Sequence, residues 1–165
     1  MGNKVSARCR EETAHQRDRK PRARVARGTG QGTGPRAGRG WLVNQKRVLV
    51  LEDEPNISEA IRFILTRDGW QVEVEADGIA ALERLRSAPP DALILDLMLP
   101  DMNGFDVLRS LRASEATRHL PVLMLTAKGQ SADRELAAQL GVTRFMTKPF
   151  ANADVVSALQ SMVAS

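Results

Sequence analysis

The sequence predicts an α/β fold, a doubly wound five-stranded parallel sheet with helices on both faces. Three observations lead there. Apolar runs such as Val48 to Leu51, Ala92 to Leu95 and Val122 to Leu125 lack polar alternation, and so read as strands buried on both faces. Between them lie stretches whose apolar residues recur at helical spacing. Gly and Pro signals mark the junctions, and regular strand–helix alternation builds a parallel sheet covered on both sides.

Order is expected from about Lys46. Arg47 to Leu51 forms the first strand, and Glu52-Asp53-Glu54-Pro55 ends it in acid. Ile57, Ile61, Ile64 and Leu65 mark the first helix, closed by Asp68-Gly69. Trp70 to Glu75 alternates, which suits a strand with one exposed side. Asp77 is a candidate N-cap for a helix carrying Ile79, Leu82 and Leu85, stopped by Pro89-Pro90. The third strand runs from Ala92 to Asp96, followed by a turn of Pro100, Asn103 and Gly104 and a helix with Phe105, Leu108 and Leu111. Pro121 to Leu125 is the fourth strand, and the next helix starts near Ala132, carries Leu136 and Leu140, and ends at Gly141. Val142 to Thr147 is read as the fifth strand, and the last helix holds Val155, Leu159, Met162 and Val163.

The charge is divided unevenly. Residues 1–45 hold 11 Lys/Arg against 3 Asp/Glu, whereas residues 46–165 hold 13 against 17, so the basic balance of the chain belongs to its first segment. That segment is Arg-rich and then Gly-rich, with almost nothing to bury, and reads as a disordered basic tail over residues 1–45. Three roles compete for it: charge-driven nucleic-acid binding, N-myristoylation at Met1-Gly2-Asn3-Lys4-Val5-Ser6, or no role, with the true start nearer Val43. The single cysteine, Cys9, excludes an internal disulfide and fits a reducing compartment. No apolar run approaches the roughly 20 residues that cross a bilayer, and no signal-peptide core is present, so the expectation is a cytoplasmic protein with no membrane partner.

The carboxyl ends of the strands gather the chemistry. Glu52 and Asp53 follow the first strand, Asp96 ends the third, Thr126 follows the fourth and Lys148 the fifth. In an open parallel sheet these ends face one crevice. Crowded carboxylates repel unless a cation joins them, and hard oxygen ligands with room for water suit Mg²⁺. With Lys148 as a fixed charge and Thr126 as a hydroxyl donor, the set describes a site for a dianionic group attached to an Asp.

Four motifs in this order, Val50-Leu51-Glu52-Asp53-Glu54-Pro55, Leu95-Asp96-Leu97-Met98-Leu99-Pro100, Leu125-Thr126-Ala127 and Phe145-Met146-Thr147-Lys148-Pro149-Phe150, resemble the receiver domain of two-component response regulators over residues 46–164. The resemblance implies a flavodoxin-like receiver fold of the stand-alone, chemotaxis type. It implies that Asp96 takes a phosphoryl group from a histidine kinase or phosphotransfer protein. Mg²⁺ would be held by Asp53, Asp96 and the backbone carbonyl of Met98, with Glu52 close by. Lys148 would pair with the phosphoryl group, Thr126 would bond it, and Phe145 would be the switch aromatic. A cis peptide at Lys148-Pro149 is also implied. Output would be contact with a downstream protein through the fourth helix, fifth strand and last helix. The chain departs from winged-helix regulators of this family. Thr143 and Arg144 replace the paired acids before the switch aromatic, and the helix from Asn152 has no Lys or Arg. The acid–base pairing of that dimer mode is therefore not expected here.

Two other functions fit less well. An aspartyl-nucleophile Mg-dependent phosphohydrolase would need an acid two residues after Asp96, where Met98 stands. A flavin-binding module would need a phosphate-cradling loop where Glu52-Asp53-Glu54-Pro55 would repel phosphate. A receiver fragment of a longer DNA-binding regulator would show the same motifs. The expectation is a phosphoacceptor rather than an enzyme, with nucleic acid engaged only through the tail. Met98 and Lys128 flank the approach of water to a phosphorylated Asp96 and neither can act as a base there, so slow self-dephosphorylation is expected.

Overall fold

β-branched and leucine-rich runs form five strands, all parallel, because each is joined to the next by a helix that carries the chain back over the sheet. In the computed structural model the described residues are 45–127 and 129–164. The chain divides into two units, residues 1–39 and 40–165, and all described residues lie in the second. The expected disordered tail, the myristoylation pattern, Cys9 and Lys128 therefore fall outside the described residues.

The elements are β1 (Arg47–Leu51), α1 (Pro55–Arg67), β2 (Gln71–Glu75), α2 (Gly78–Ser87), β3 (Ala92–Asp96), α3 (Gly104–Ala113), β4 (Val122–Thr126), α4 (Ser131–Gln139), β5 (Arg144–Thr147) and α5 (Asn152–Val163). The sheet order is β2-β1-β3-β4-β5. Side chains of β1 and β3 alternate between two cores: Leu49, Leu51, Leu93 and Leu95 meet Leu82, Leu85, Leu108 and Leu111 of α2 and α3, while Val48, Val50 and Ile94 meet Ile61, Leu65, Val155 and Leu159 of α1 and α5. Both faces are covered, which is why these strands read as unbroken apolar runs.

The local signals act where expected. Asp77 caps α2 by accepting a bond from the Ala80 amide at 2.8 Å; Asn103, read from the sequence as a turn residue, also caps α3, accepting from the Phe105 amide at 2.8 Å. Gly69 and Gly141 take positive φ, 92° and 77°, past the ends of α1 and α4.

Four expectations need correction. Ile79 is 58% exposed rather than in the core, and the buried face of α2 is carried by Ala81, Leu82 and Leu85. β4 runs one residue later than expected, Val122–Thr126 rather than Pro121 to Leu125. β5 starts at Arg144 instead of Val142: the Thr143 hydroxyl accepts from the Val122 amide at 3.0 Å and its own amide donates to the Val122 carbonyl, a side-chain contact that precedes the ladder. β2 lacks one clean exposed face, because Glu73 is covered by Arg47 and Arg84 and ends half-buried like Val72 and Val74.

Candidate functional site

The sheet order reverses direction between β1 and β3, so their carboxyl ends bound a crevice. β3 delivers Asp96 there through four apolar residues that have nowhere else to go, and the carboxylate is only 3% exposed. The chain then turns tightly. A Cβ on Gly104 would lie 2.5 Å from the Asp96 carbonyl oxygen and 2.8 Å from Leu97 Cα, so only glycine lets the start of α3 press against the strand end. An amide–carbonyl bond from Gly104 to Leu97, 2.9 Å, locks that approach. Asp101, in the same loop, accepts from the Gly78 amide at 2.8 Å and ties the loop to the start of α2.

Asp96 is bonded on both oxygens. Oδ1 accepts from the Met98 amide at 3.2 Å and Oδ2 from Lys148 Nζ at 2.8 Å. The same ammonium lies 2.8 Å from Glu52 Oε2 and 3.3 Å from Glu54 Oε1. Lys148 follows β5 directly and is set by backbone pairing, its amide donating to the Thr126 carbonyl at 2.7 Å. The Lys148–Pro149 peptide is cis.

One ammonium is thus shared by three carboxylates, and the electrostatics follow. Burial raises the Glu52 pKa to about 7, aided by the Asp96 charge and only partly offset by Lys148 and the Glu54 amide. Burial would lower the Lys148 pKa, but the bonds and charges of Asp96 and Glu52 override it and hold the ammonium above the usual lysine range.

Thr126 ends β4 and is 1% exposed, beside a recess of about 300 Å³ lined in part by Leu97, Met98, Phe105, Ala127 and Asp133. Phe145, on β5, is half-buried against the core, with the Arg134 guanidinium of α4 stacked 5.4 Å from its ring centre. Met98 is 67% exposed at the rim. A larger groove, about 670 Å³, lies at the α1–β2 edge around Arg62, Phe63, Arg67 and Trp70, and contains none of the strand-end residues.

The structure therefore brings together Asp96, Glu52 and Lys148, with Thr126 on the adjoining strand end. Among the described residues, the carboxylates whose oxygens lie within 4.8 Å of one another are Glu52, Glu54 and Asp96. Asp53 is half-buried next to them but is not one of the three. Glu54 is the residue that sequence reasoning missed as a participant. Its only signal was membership of the acidic run, which cannot say which of three consecutive side chains turns inward.

Glu52 Oε2 is buried and accepts no well-directed hydrogen bond, although Lys148 is close. An all-carboxylate set with a buried, under-satisfied oxygen and exposed Glu54 beside it suits a hard metal ion.

Comparison with known proteins agrees with this geometry. Residues 48–160 match the response regulator receiver domain family, so the chain belongs to it. It is 38% identical over 117 residues to the transcriptional regulatory protein TrcR of Mycobacterium tuberculosis, covering 71% of this chain and 45% of that protein. Identity is also 38% over 117 residues to the DNA-binding response regulator MtrA of Mycolicibacterium smegmatis, covering 71% of this chain and 50% of that one. The chain spans about half the length of the curated relatives it matches. Among solved structures, it resembles the receiver domain of the sensor histidine kinase PA1611 of Pseudomonas aeruginosa, which carries magnesium in its active-site cleft (33% identity, TM-score 0.68, 73% of this chain and 99% of that one). The chemotaxis response regulator CheY4 of Vibrio cholerae is similar at 29% identity and TM-score 0.68, covering 72% and 98%. The sheet order and the five helices are those of the chemotaxis-type receiver fold.

Proposed function

We propose that this receiver domain accepts a phosphoryl group on Asp96 from a histidine kinase or phosphotransfer protein and thereby switches a protein-binding surface. The observation that carries the reading is the buried Asp96 carboxylate at a strand end, paired with Lys148 at 2.8 Å. An Asp96 oxygen attacks phosphorus, a new P–O bond forms, the P–N bond to the donor imidazole breaks, and the imidazole leaves with the electron pair. Lys148 moves its charge from the carboxylates to the phosphoryl oxygens, and the Thr126 hydroxyl turns to donate to one of them. Glu52, Asp53, Asp96 and the Met98 carbonyl would hold the metal. When bound, Mg²⁺ supplies the positive charge that lets a dianion enter an acidic crevice.

Phe145 is proposed to carry the change outward, from beside β4 to the surface of α4, β5 and α5, where a downstream protein would bind. A second reading has its own support. The curated relatives include a DNA-binding response regulator and are about twice as long, which favours a receiver that controls an attached output domain. Either output leaves the phosphoacceptor chemistry unchanged. Among the described residues no helix is long and apolar enough to cross a membrane, and a cytoplasmic site of action is proposed with it.

Phosphotransfer from a panel of autophosphorylated histidine kinases tests the reading. Label should pass to the wild-type chain in the presence of Mg²⁺ and not to Asp96→Asn. Persistent labelling of Asp96→Asn would move the acceptor to another residue.

A further inference from the structure

We infer that Glu54 is a latch on Lys148 that slows phosphoryl uptake, an inference that rests on the phosphoacceptor reading of Asp96. Glu54 Oε1 lies 3.3 Å from Lys148 Nζ, within hydrogen-bonding geometry. Glu54 differs from the other two partners of that ammonium in one respect. The Glu52 and Asp96 side chains are 0% and 4% exposed, whereas that of Glu54 is 61% exposed. It approaches the ammonium from the mouth of the crevice, the side from which a phosphoryl donor must arrive.

Its anchoring suits such a role. Glu54 is the N-cap residue of α1, yet its side chain caps no helix amide. Its own amide donates to Glu52 Oε1 at 3.2 Å, which fixes the backbone next to the buried acid while leaving the carboxylate to reach Lys148. Of the three carboxylate contacts of the ammonium, those to Asp96 and Glu54 are directed hydrogen bonds, whereas Glu52 Oε2 is an ion-pair partner at 2.8 Å without one. A phosphoryl oxygen that takes the solvent-facing side of this ammonium competes with the Glu54 bond, the more exposed of the two. Glu52 and Asp96 are buried and held, so the solvent-facing Glu54 is the partner that yields. Its hold on the ammonium is the resistance the incoming group must overcome. Glu54 acts through Lys148 and is a positioning residue, not a catalytic one.

Acetyl phosphate serves as the probe, because its use needs no partner protein: Asp96 oxygen bonds to phosphorus, the P–O bond to the acetyl group breaks, and acetate leaves with the electron pair. The uptake rate is compared at saturating Mg²⁺ in wild type, Glu54→Gln and Glu54→Asp, with circular dichroism confirming the fold. Glu54→Gln should raise the rate about threefold, the scale of one exposed ion pair. Glu54→Asp keeps the negative charge at the mouth but, one methylene shorter, loses the contact with Lys148, and should speed uptake as Glu54→Gln does. An Asp variant that stays at the wild-type rate while Gln is faster would show simple charge repulsion and overturn the latch. Equal rates in all three would overturn it too. A wild-type chain that takes no label on Asp96 fails the phosphoacceptor reading itself, an outcome distinct from these.

Discussion

Lys148 Nζ stands 2.8 Å from Asp96 Oδ2 and 2.8 Å from Glu52 Oε2, so one cation from the end of β5 neutralises carboxylates from the ends of β1 and β3. Removing it leaves buried negative charge without a partner. Lys148→Met should therefore lower stability at neutral pH by about 3 kcal/mol, as breaking a buried ion pair does. Added Mg²⁺ should recover part of that loss by mass action. Urea denaturation with and without the metal measures both. In wild type the Lys148 contribution is complete below the ordinary lysine pKa and is lost as pH rises through its higher folded value.

Glu52 gives a slope of the same sign at lower pH. Its folded pKa is about 7 against an unfolded value of 4.5, so between these values the native state binds more protons than the unfolded state. Stability of the metal-free protein should fall as pH rises through that window and level off above it. Glu52→Gln should flatten the fall. Mg²⁺ should bind more weakly below pH 7, where it must displace the Glu52 proton. Denaturation midpoints and Mg²⁺ titrations from pH 5 to pH 8 read both effects.

Asp53 separates metal binding from stability. Asp53→Ala removes one charge from an acidic crevice, so the metal-free variant should be at least as stable as wild type while binding Mg²⁺ more weakly. Calorimetric titration with Mg²⁺ checks it, and unchanged affinity would remove Asp53 from the ligand set.

Most of this fold was legible because burial dictates it. The double-sided apolar runs of β1, β3 and β4 and the cap at Asp77 are local statements that the tertiary structure has no reason to override. The misreadings share a cause, that the deciding partner is distant in sequence. Glu73 is half-buried because Arg84 and Arg47 lie over it, and β5 starts late because Thr143 bonds Val122. The site was legible as a list of strand ends. The sharing of Lys148 by three carboxylates was not, since which side chain of Glu52-Asp53-Glu54 turns inward depends on the turn that leads into α1.

The lifetime of the phosphorylated state follows from what surrounds it. Met98 is 67% exposed at the rim and offers no acceptor to an attacking water, so self-dephosphorylation should take many minutes or longer. Met98→Asn combined with Lys128→Glu should shorten the half-life about tenfold, if placing the water is worth roughly 1.4 kcal/mol. Decay of label after removal of the donor measures it, and a wild-type half-life of a few seconds would contradict the account.

The most direct test of the central claim is chemical trapping of the phosphorylated residue. Wild-type protein is phosphorylated with acetyl phosphate and Mg²⁺, reduced with borohydride, which converts an aspartyl phosphate to homoserine, and mapped by peptide mass spectrometry. The account predicts homoserine in place of Asp96, with Asp53 and Asp101 intact. Homoserine at either of those positions, or none anywhere after reduction, would contradict it.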